Sequence, residues 1–275
     1  MERDIALFFG KPSDKAIINP IDYIEHMKEL KGLNHFKFPN YCILCFFKKL
    51  YKEIKKKYKP KIIKYNEEYP IYIFRYKGIE IAFVYPTMGS YASTVLEEMI
   101  ALGGKYFIFF GGVGIISSAI ERGEIILPIK AIRDEGTSFH YQKPSKYSYP
   151  SKLILKFIKK TLKQNKVSFH EGVTWTTDAP YRETRRKVLK FRKEGALCVE
   201  MEASAFFSVG KFRKVDIAGL FIAGDCIAGG TWNPRRKRKD ILKIETERKK
   251  LLDYALETFY LLNNSSCDPE RLDLI

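Results

Sequence analysis

The stretch ALCVEMEASAFFSVGKFRKVDIAGLFIAGDCIAGG, residues 196–230, twice sets acids inside apolar surroundings. Glu200 and Glu202 bracket Met201 where an apolar, strand-like run gives way to a helix-like one. A second apolar run, residues 217–224, ends in Asp225 at a glycine-rich turn. Carboxylates at the carboxyl ends of apolar strands are where an open α/β sheet holds its ligand. An ionised carboxylate offers two acceptor oxygens to the vicinal hydroxyls of a sugar, and Glu202 is the candidate for that role. Met201 would lay a soft apolar surface against a sugar or base, while alternation turns Glu200 elsewhere. The same triplet would also suit a helix N-terminus whose acids favour the dipole. Asp225, between glycines, is placed to be partly desolvated with a raised pKa and so to donate a proton; it could equally cap a turn.

Outward from this stretch, apolar and amphipathic segments alternate. A strand is expected over 41–47, followed by a basic amphipathic helix to about residue 58. Two strands joined at Lys77-Gly78 carry a hairpin signal. A helix opens within 87–94 and runs to about residue 102, its small polar start able to leave amides free for an anion. A buried strand over 105–110 should stop at the glycines of 111–114. Residues 123–133 read as a strand pair, 151–164 as a helix, 167–175 as a strand and 184–193 as a basic helix. Strand, helix (201–211) and strand (217–224) follow, and a long amphipathic helix over 240–262 closes the pattern. The order is largely β–α with a hairpin inserted. The fold class is therefore α/β, a single domain with a mixed twisted β-sheet core flanked by helices, over 41–265. Residues 1–40, broken by Pro12, Pro20, Gly32 and Pro39, read as an N-terminal extension with a short helix at 21–30. No repeat or linker is visible.

Composition narrows the class. With 275 residues, 45% of them apolar, the chain can bury a sizeable core. No run of about 18 uncharged apolar residues and no basic-then-apolar leader occurs, so a cytoplasmic enzyme without membrane contact is expected. Five scattered cysteines suit reduced core thiols. Cys42 and Cys45 have CxxC spacing, but in a buried strand residues three apart face opposite ways, which argues against metal or redox chemistry. The four histidines show no metal-ligand spacing, and no metal is expected. A net charge of +17 is shared by nucleic-acid binders, with dense runs at 48–61 and 235–239. Lysine is spread over the whole chain, however, which reads as a solvated lysine-rich surface.

Seven ordered blocks resemble one known family, the nucleoside phosphorylase and nucleosidase superfamily that includes purine nucleoside, uridine and methylthioadenosine phosphorylases. They are TMG…VLEEMIALG (87–103), FIFFGGVGII (107–116), RGEIILP (122–128), RDEGTSFHY (133–141), TTDAPY (176–181), VEMEASAFF (199–207) and AGDCIAGGTW (223–232). The resemblance implies catalysis at a nucleoside's N-glycosidic bond, with no cofactor beyond phosphate as co-substrate. It implies that Glu202 holds the ribose hydroxyls, Met201 packs on the sugar and Asp225 protonates the leaving base, with Glu200 beside them. Phe139, His140 and Tyr141 fall around sugar and base, and the segment 178–186, including Arg186, falls on the base side. A homo-oligomer, as dimer or trimer of dimers, is likewise implied. The transition state is an oxocarbenium-like sugar, which asks for an anion beneath C1′ and a proton donor at the base.

Two departures stand out. Where family phosphorylases usually carry an arginine, and then a serine or threonine, this chain has Phe109 and Gly112; the usual GlyAspPro loop after the first strand is also missing. Phosphate would then rest on Lys48, Lys49 or Arg75, on a neighbouring subunit, or on amides at Gly111, Gly112 and the segment from Ser90 to Thr94. Without it, water would be the nucleophile, with Asp22 or Glu25 as general base. Purine-like Asp225 and uridine-phosphorylase-like segments leave the base open. A non-catalytic nucleoside- or nucleic-acid-binding relative is the remaining alternative.

Overall fold

The computed structural model describes residues 12–33, 36–234 and 238–265, with side chains of 238–243 excepted. In the basic run 235–239, residues 235–237 and the side chains of 238 and 239 lie outside what is described, as do His35 and Cys267. Helix α1 (Pro20–Leu30) precedes strand β1 (Tyr41–Cys45), helix α2 (Leu50–Tyr58), β2 (Lys61–Ile63), β3 (Ile71–Tyr76) and β4 (Ile79–Val84). A short turn of helix then leads into α3 (Ser93–Leu102), β5 (Tyr106–Ile115), β6 (Ile125–Asp134), α4 (Ser138–Tyr141) and β7 (Tyr147–Ser148). The rest is α5 (Lys152–Gln164), β8 (Phe169–Thr177), α6 (Arg185–Lys193), β9 (Ala196–Glu200), α7 (Ala203–Arg213), β10 (Asp216–Cys226) and α8 (Arg238–Ser265).

These strands form one mixed sheet flanked by helices, as expected. Strand β5 is its hub, paired parallel to β1 and β10 and antiparallel to β9. From β1 the sheet continues through β4, β3 and β2; on the other side β10, β6, β8 and β9 return to β5, so five strands close on themselves. That closure brings the ends of β5, β9 and β10 together. The continuous apolar run of β5 suits a strand buried on both faces. Phe107 and Phe109 join the core on the side of α3 and α7, whereas Ile108 and Phe110 join the core on the side of α5 and α8. Cys42 and Cys45 divide the same way, Cys42 into the first core and Cys45 into the second.

The Lys77-Gly78 hairpin forms as read: both residues have positive φ, 46° and 88°, the geometry of a two-residue turn matched to strand twist. Two expectations fail. The glycines of 111–114 do not end β5, which runs on to Ile115 because β9 and β10 hydrogen-bond to its far end. Residues 125–134 form one bent strand rather than a pair, with its register shift between Pro128 and Lys130, where a proline cannot donate to the ladder. Helix α1 is tied to the domain, since Ile24 is wholly buried in the first core beside residues of α3.

Candidate active site

A cavity of about 610 Å³ opens at the carboxyl ends of β1 and β5, lined in part by Gly111, Gly112, Met201 and Glu202. Two carboxylates stand at its floor and behave differently. Glu200 is buried at the end of β9 and accepts four hydrogen bonds: from Thr174 Oγ1 (3.1 Å), Thr176 Oγ1 (2.6 Å) and the amides of Glu202 (2.8 Å) and Ala203 (2.6 Å). Those amides are first-turn donors that α7 cannot satisfy internally. Glu200 is thereby committed to the protein and holds the turn that aims Glu202. This departs from its expected place among the substrate contacts.

Glu202 accepts from the amide of Gly89 at 2.6 Å. Burial, reinforced by the neighbouring charge of Glu200, pushes its carboxyl up to about 8. Part of its surface still reaches solvent through the cavity, so an oxygen remains open to an incoming hydroxyl. Gly89 sits at φ 83°, a conformation that favours glycine, and a β-carbon there would meet the Met201 methyl at 3.7 Å. The glycine thus lets the 87–89 loop approach both Met201 and Glu202.

Asp225 lies around the corner. The β10 ladder shifts register between Ala223 and Cys226, a bulge of the kind that re-aims a side chain. Asp225 faces a second cavity, of about 520 Å³, with Glu183, Arg185, Tyr181 and Trp232. Its Oδ2 accepts from Trp232 Nε1 at 2.6 Å. A β-carbon on Gly114 would lie 3.7 Å from Asp225 Oδ1, while one on Gly112 would lie 3.7 Å from the Phe47 ring in the first cavity. Gly112 and Gly114 share a face of β5, the first lining the cavity that holds Glu202 and the second lying beside Asp225.

The group poised near neutrality in the second cavity is Glu183: burial, then the charge of Asp225, lifts its carboxyl to about 7. Glu183 falls within the segment 178–186 expected on the base side, but a Glu-Thr pair before a basic helix carries no mark of an active acid in sequence. Arg186, expected on the base side, is exposed on α6 and does not line the cavity; its neighbour Arg185 does, one helical step of about 100° away.

Other expected residues are dispersed. Ser90 is buried and donates to Asp178 Oδ1 at 2.5 Å, while Asp178 Oδ2 accepts from the Gly136 amide at 3.0 Å, so Ser90 ties loops together instead of facing the first cavity. Arg75 is exposed on β3 and paired with Glu80 at 3.5 Å, away from both cavities. Phe139 packs under the Arg133 guanidinium at 4.1 Å, and His140 with Tyr141 lines a third cavity, of about 780 Å³, near α1. Asp22 caps α1 through the Asn19 amide at 3.0 Å, and neither it nor Glu25 lines the first cavity. Lys48 and Lys49 do line it, together with Phe46, Phe47 and Phe109. Arg248, from α8, also lines it. Nothing in the sequence marks Arg248 out, since it lies within a lysine- and arginine-rich helix.

Comparison with known proteins shows the family and the fold. The family model described as the Phosphorylase superfamily matches residues 40–257. A guanosine phosphorylase from Halorubrum lacusprofundi is 26% identical over 171 residues, 61% of this chain and 70% of the relative. A uridine phosphorylase from Thermococcus kodakarensis is 31% identical over 123 residues, so the chain spans 43% of that relative's length. Among solved structures, a uridine phosphorylase from Vibrio fischeri superposes with a TM-score of 0.73 at 25% identity, over 81% of this chain and 92% of the other. An AMP nucleosidase from Bacteroides thetaiotaomicron shares the fold, with a TM-score of 0.69 at 20% identity over 90% of this chain.

Proposed function

The chain belongs to the phosphorylase superfamily, and from that premise we propose that it cleaves the N-glycosidic bond of a nucleoside with phosphate as the acceptor. The observation that carries this reading is that β5 serves both acids: Gly112 lines the cavity that holds Glu202, and a β-carbon on Gly114, two residues on along the same face, would lie 3.7 Å from Asp225 Oδ1. Glu202 accepts the ribose hydroxyls, Met201 packs on the sugar, and the base extends toward Asp225, Trp232 and Glu183. Binding of the diol to Glu202 favours its ionised form, offsetting the burial that raises its pKa. As the C1′–N bond breaks, a phosphate oxygen bonds to C1′ and the base leaves with a proton delivered from the acid side of the second cavity. The reading extends to both base classes, since its relatives are named for guanosine and uridine.

A second reading, hydrolysis by water, is favoured by Phe46, Phe47 and Phe109, which line the side where phosphate would enter. One experiment separates the two. The purified protein is incubated with a panel of purine and pyrimidine nucleosides, with and without phosphate, and free base is measured. Release that requires phosphate, with a sugar 1-phosphate formed in equal amount, is the expected result. Phosphate-independent release would make it a nucleosidase, and no release from any nucleoside would count against catalysis.

A further inference from the structure

Four cationic side chains, Lys48, Lys49, Arg248 and Lys249, line the first cavity. Lys49 is neutralised by Glu245 at 2.6 Å, and Lys249 by Glu53 at 2.9 Å. Lys48 and Arg248 line the same wall and make no ion pair within 4.0 Å among the described residues. Arg248 is held in place without being satisfied. Its guanidinium lies 4.6 Å over the Phe47 ring, and its Nε is buried with no hydrogen-bond partner. Burial and the nearby charge of Arg122 both weigh against its proton, and only the Glu245 carboxylate, already engaged by Lys49, and the buried Cys45 thiol act the other way. A buried charge with an unmet donor is costly unless something pairs with it.

We propose that Arg248 and Lys48 form the binding site for a phosphate group at the outer end of this cavity, in place of the arginine and hydroxyl residues absent at Phe109 and Gly112. This deepens the reading given above and rests on it. A guanidinium carries paired N–H donors, the geometry that suits a phosphate's oxygens, and Lys48 on the same cavity lining adds a point charge. Gly112, which has no side chain, lines the same cavity beside Phe47. Two sources would supply the same chemistry: inorganic phosphate as co-substrate, or the 5′-phosphate of a nucleoside monophosphate.

The test reads binding without turnover. Inorganic phosphate, a nucleoside and its 5′-monophosphate are titrated calorimetrically into the wild-type protein and into Arg248→Gln, Arg248→Lys, Lys48→Gln and the exposed control Lys160→Gln. Circular dichroism and melting temperature confirm that each variant is folded. Phosphate-group affinity should fall at least tenfold in Arg248→Gln, less in Arg248→Lys and about threefold in Lys48→Gln. It should be unchanged in Lys160→Gln, with nucleoside affinity retained throughout. If inorganic phosphate carries the effect, and the KM for phosphate in base release rises with it, the source is the co-substrate. If only the monophosphate's advantage over the nucleoside is lost, the source is the 5′-phosphate. Wild-type protein that binds neither ligand, or a folded Arg248→Gln that binds both as well as wild type, would overturn the proposal. Absence of base release would defeat the glycosidic reading while leaving the Arg248 contrast to decide the phosphate site.

Discussion

At the scale of single residues, three acids of similar composition have been given three different tasks by their surroundings. Glu202, lifted from 4.5 to about 8 by burial and by Glu200, binds its proton more tightly in the folded than in the unfolded chain. Its contribution to stability is therefore fully present below about pH 4.5 and is lost as pH rises through about 8. Glu202→Gln, which cannot ionise, should melt higher than wild type at pH 8 and match it near pH 4. The expected gain is about 1–2 kcal/mol once the cavity's access to solvent is allowed for. Thermal melts across that pH range check it. Glu183 titrates at about 7 beside Asp225, so a reaction that uses its proton should slow as pH rises past 7. Glu183→Gln should remove that limb from the pH–rate profile. Asp225→Asn removes the charge that holds the Glu183 proton, so it should lower base release by about a hundredfold or more, the usual scale for lost general acid catalysis, and should move the Glu183 limb to lower pH. An unchanged profile in both variants would place the proton donor elsewhere.

At the scale of elements, the site depends on how strands end. Helix α7 begins where β9 stops because Glu200 accepts the amides of Glu202 and Ala203 while the two threonines of β8 hold its other oxygen. Glu200→Gln keeps the shape but turns an acceptor pair partly into donors that face amide N–H groups. Hydrogen bonds to a charged group are worth about 1.5–3 kcal/mol each, so the variant should lose roughly 2–4 kcal/mol in urea unfolding and release Glu202 from its aim. Much of this element pattern was legible beforehand: the Lys77-Gly78 turn, the opposed cysteines of β1 and the strand–helix–strand of 196–226 all follow from periodicity and turn chemistry. The glycines of 111–114 were misread because, in sequence, GlyGlyValGly looks like a turn. Their strand character comes from β9 and β10 pairing along them, which no local propensity records.

At the scale of the whole molecule, the closed circuit of β5, β10, β6, β8 and β9 unites segments more than 100 residues apart. The long helix α8 lies over the second core and carries Arg248 to the mouth of the first cavity. The boundary of this unit is testable through α1. Residues 1–40 read as an extension in sequence, yet Ile24 is wholly buried against the first core. Ile24→Ala should cost about 2–4 kcal/mol in chemical denaturation, as for a core isoleucine. A cost below about 0.5 kcal/mol would return α1 to the status of a dispensable extension.

The sequence by itself determined the family, the order of strands and helices, and the two acids, Glu202 and Asp225, that end apolar runs. These are local facts, written in periodicity and in motifs a few residues long. Only the tertiary structure decided that Glu200 caps a helix, that Ser90 ties loops and that Arg75 faces solvent. It also decided that Arg185 rather than Arg186 meets the second cavity, that Glu183 lines that cavity and that Arg248 lines the first. The physical reason is that burial and charge proximity are properties of packing. A carboxyl rises toward neutrality, or a guanidinium is left with an unmet donor, only when segments distant in the chain exclude water from it together.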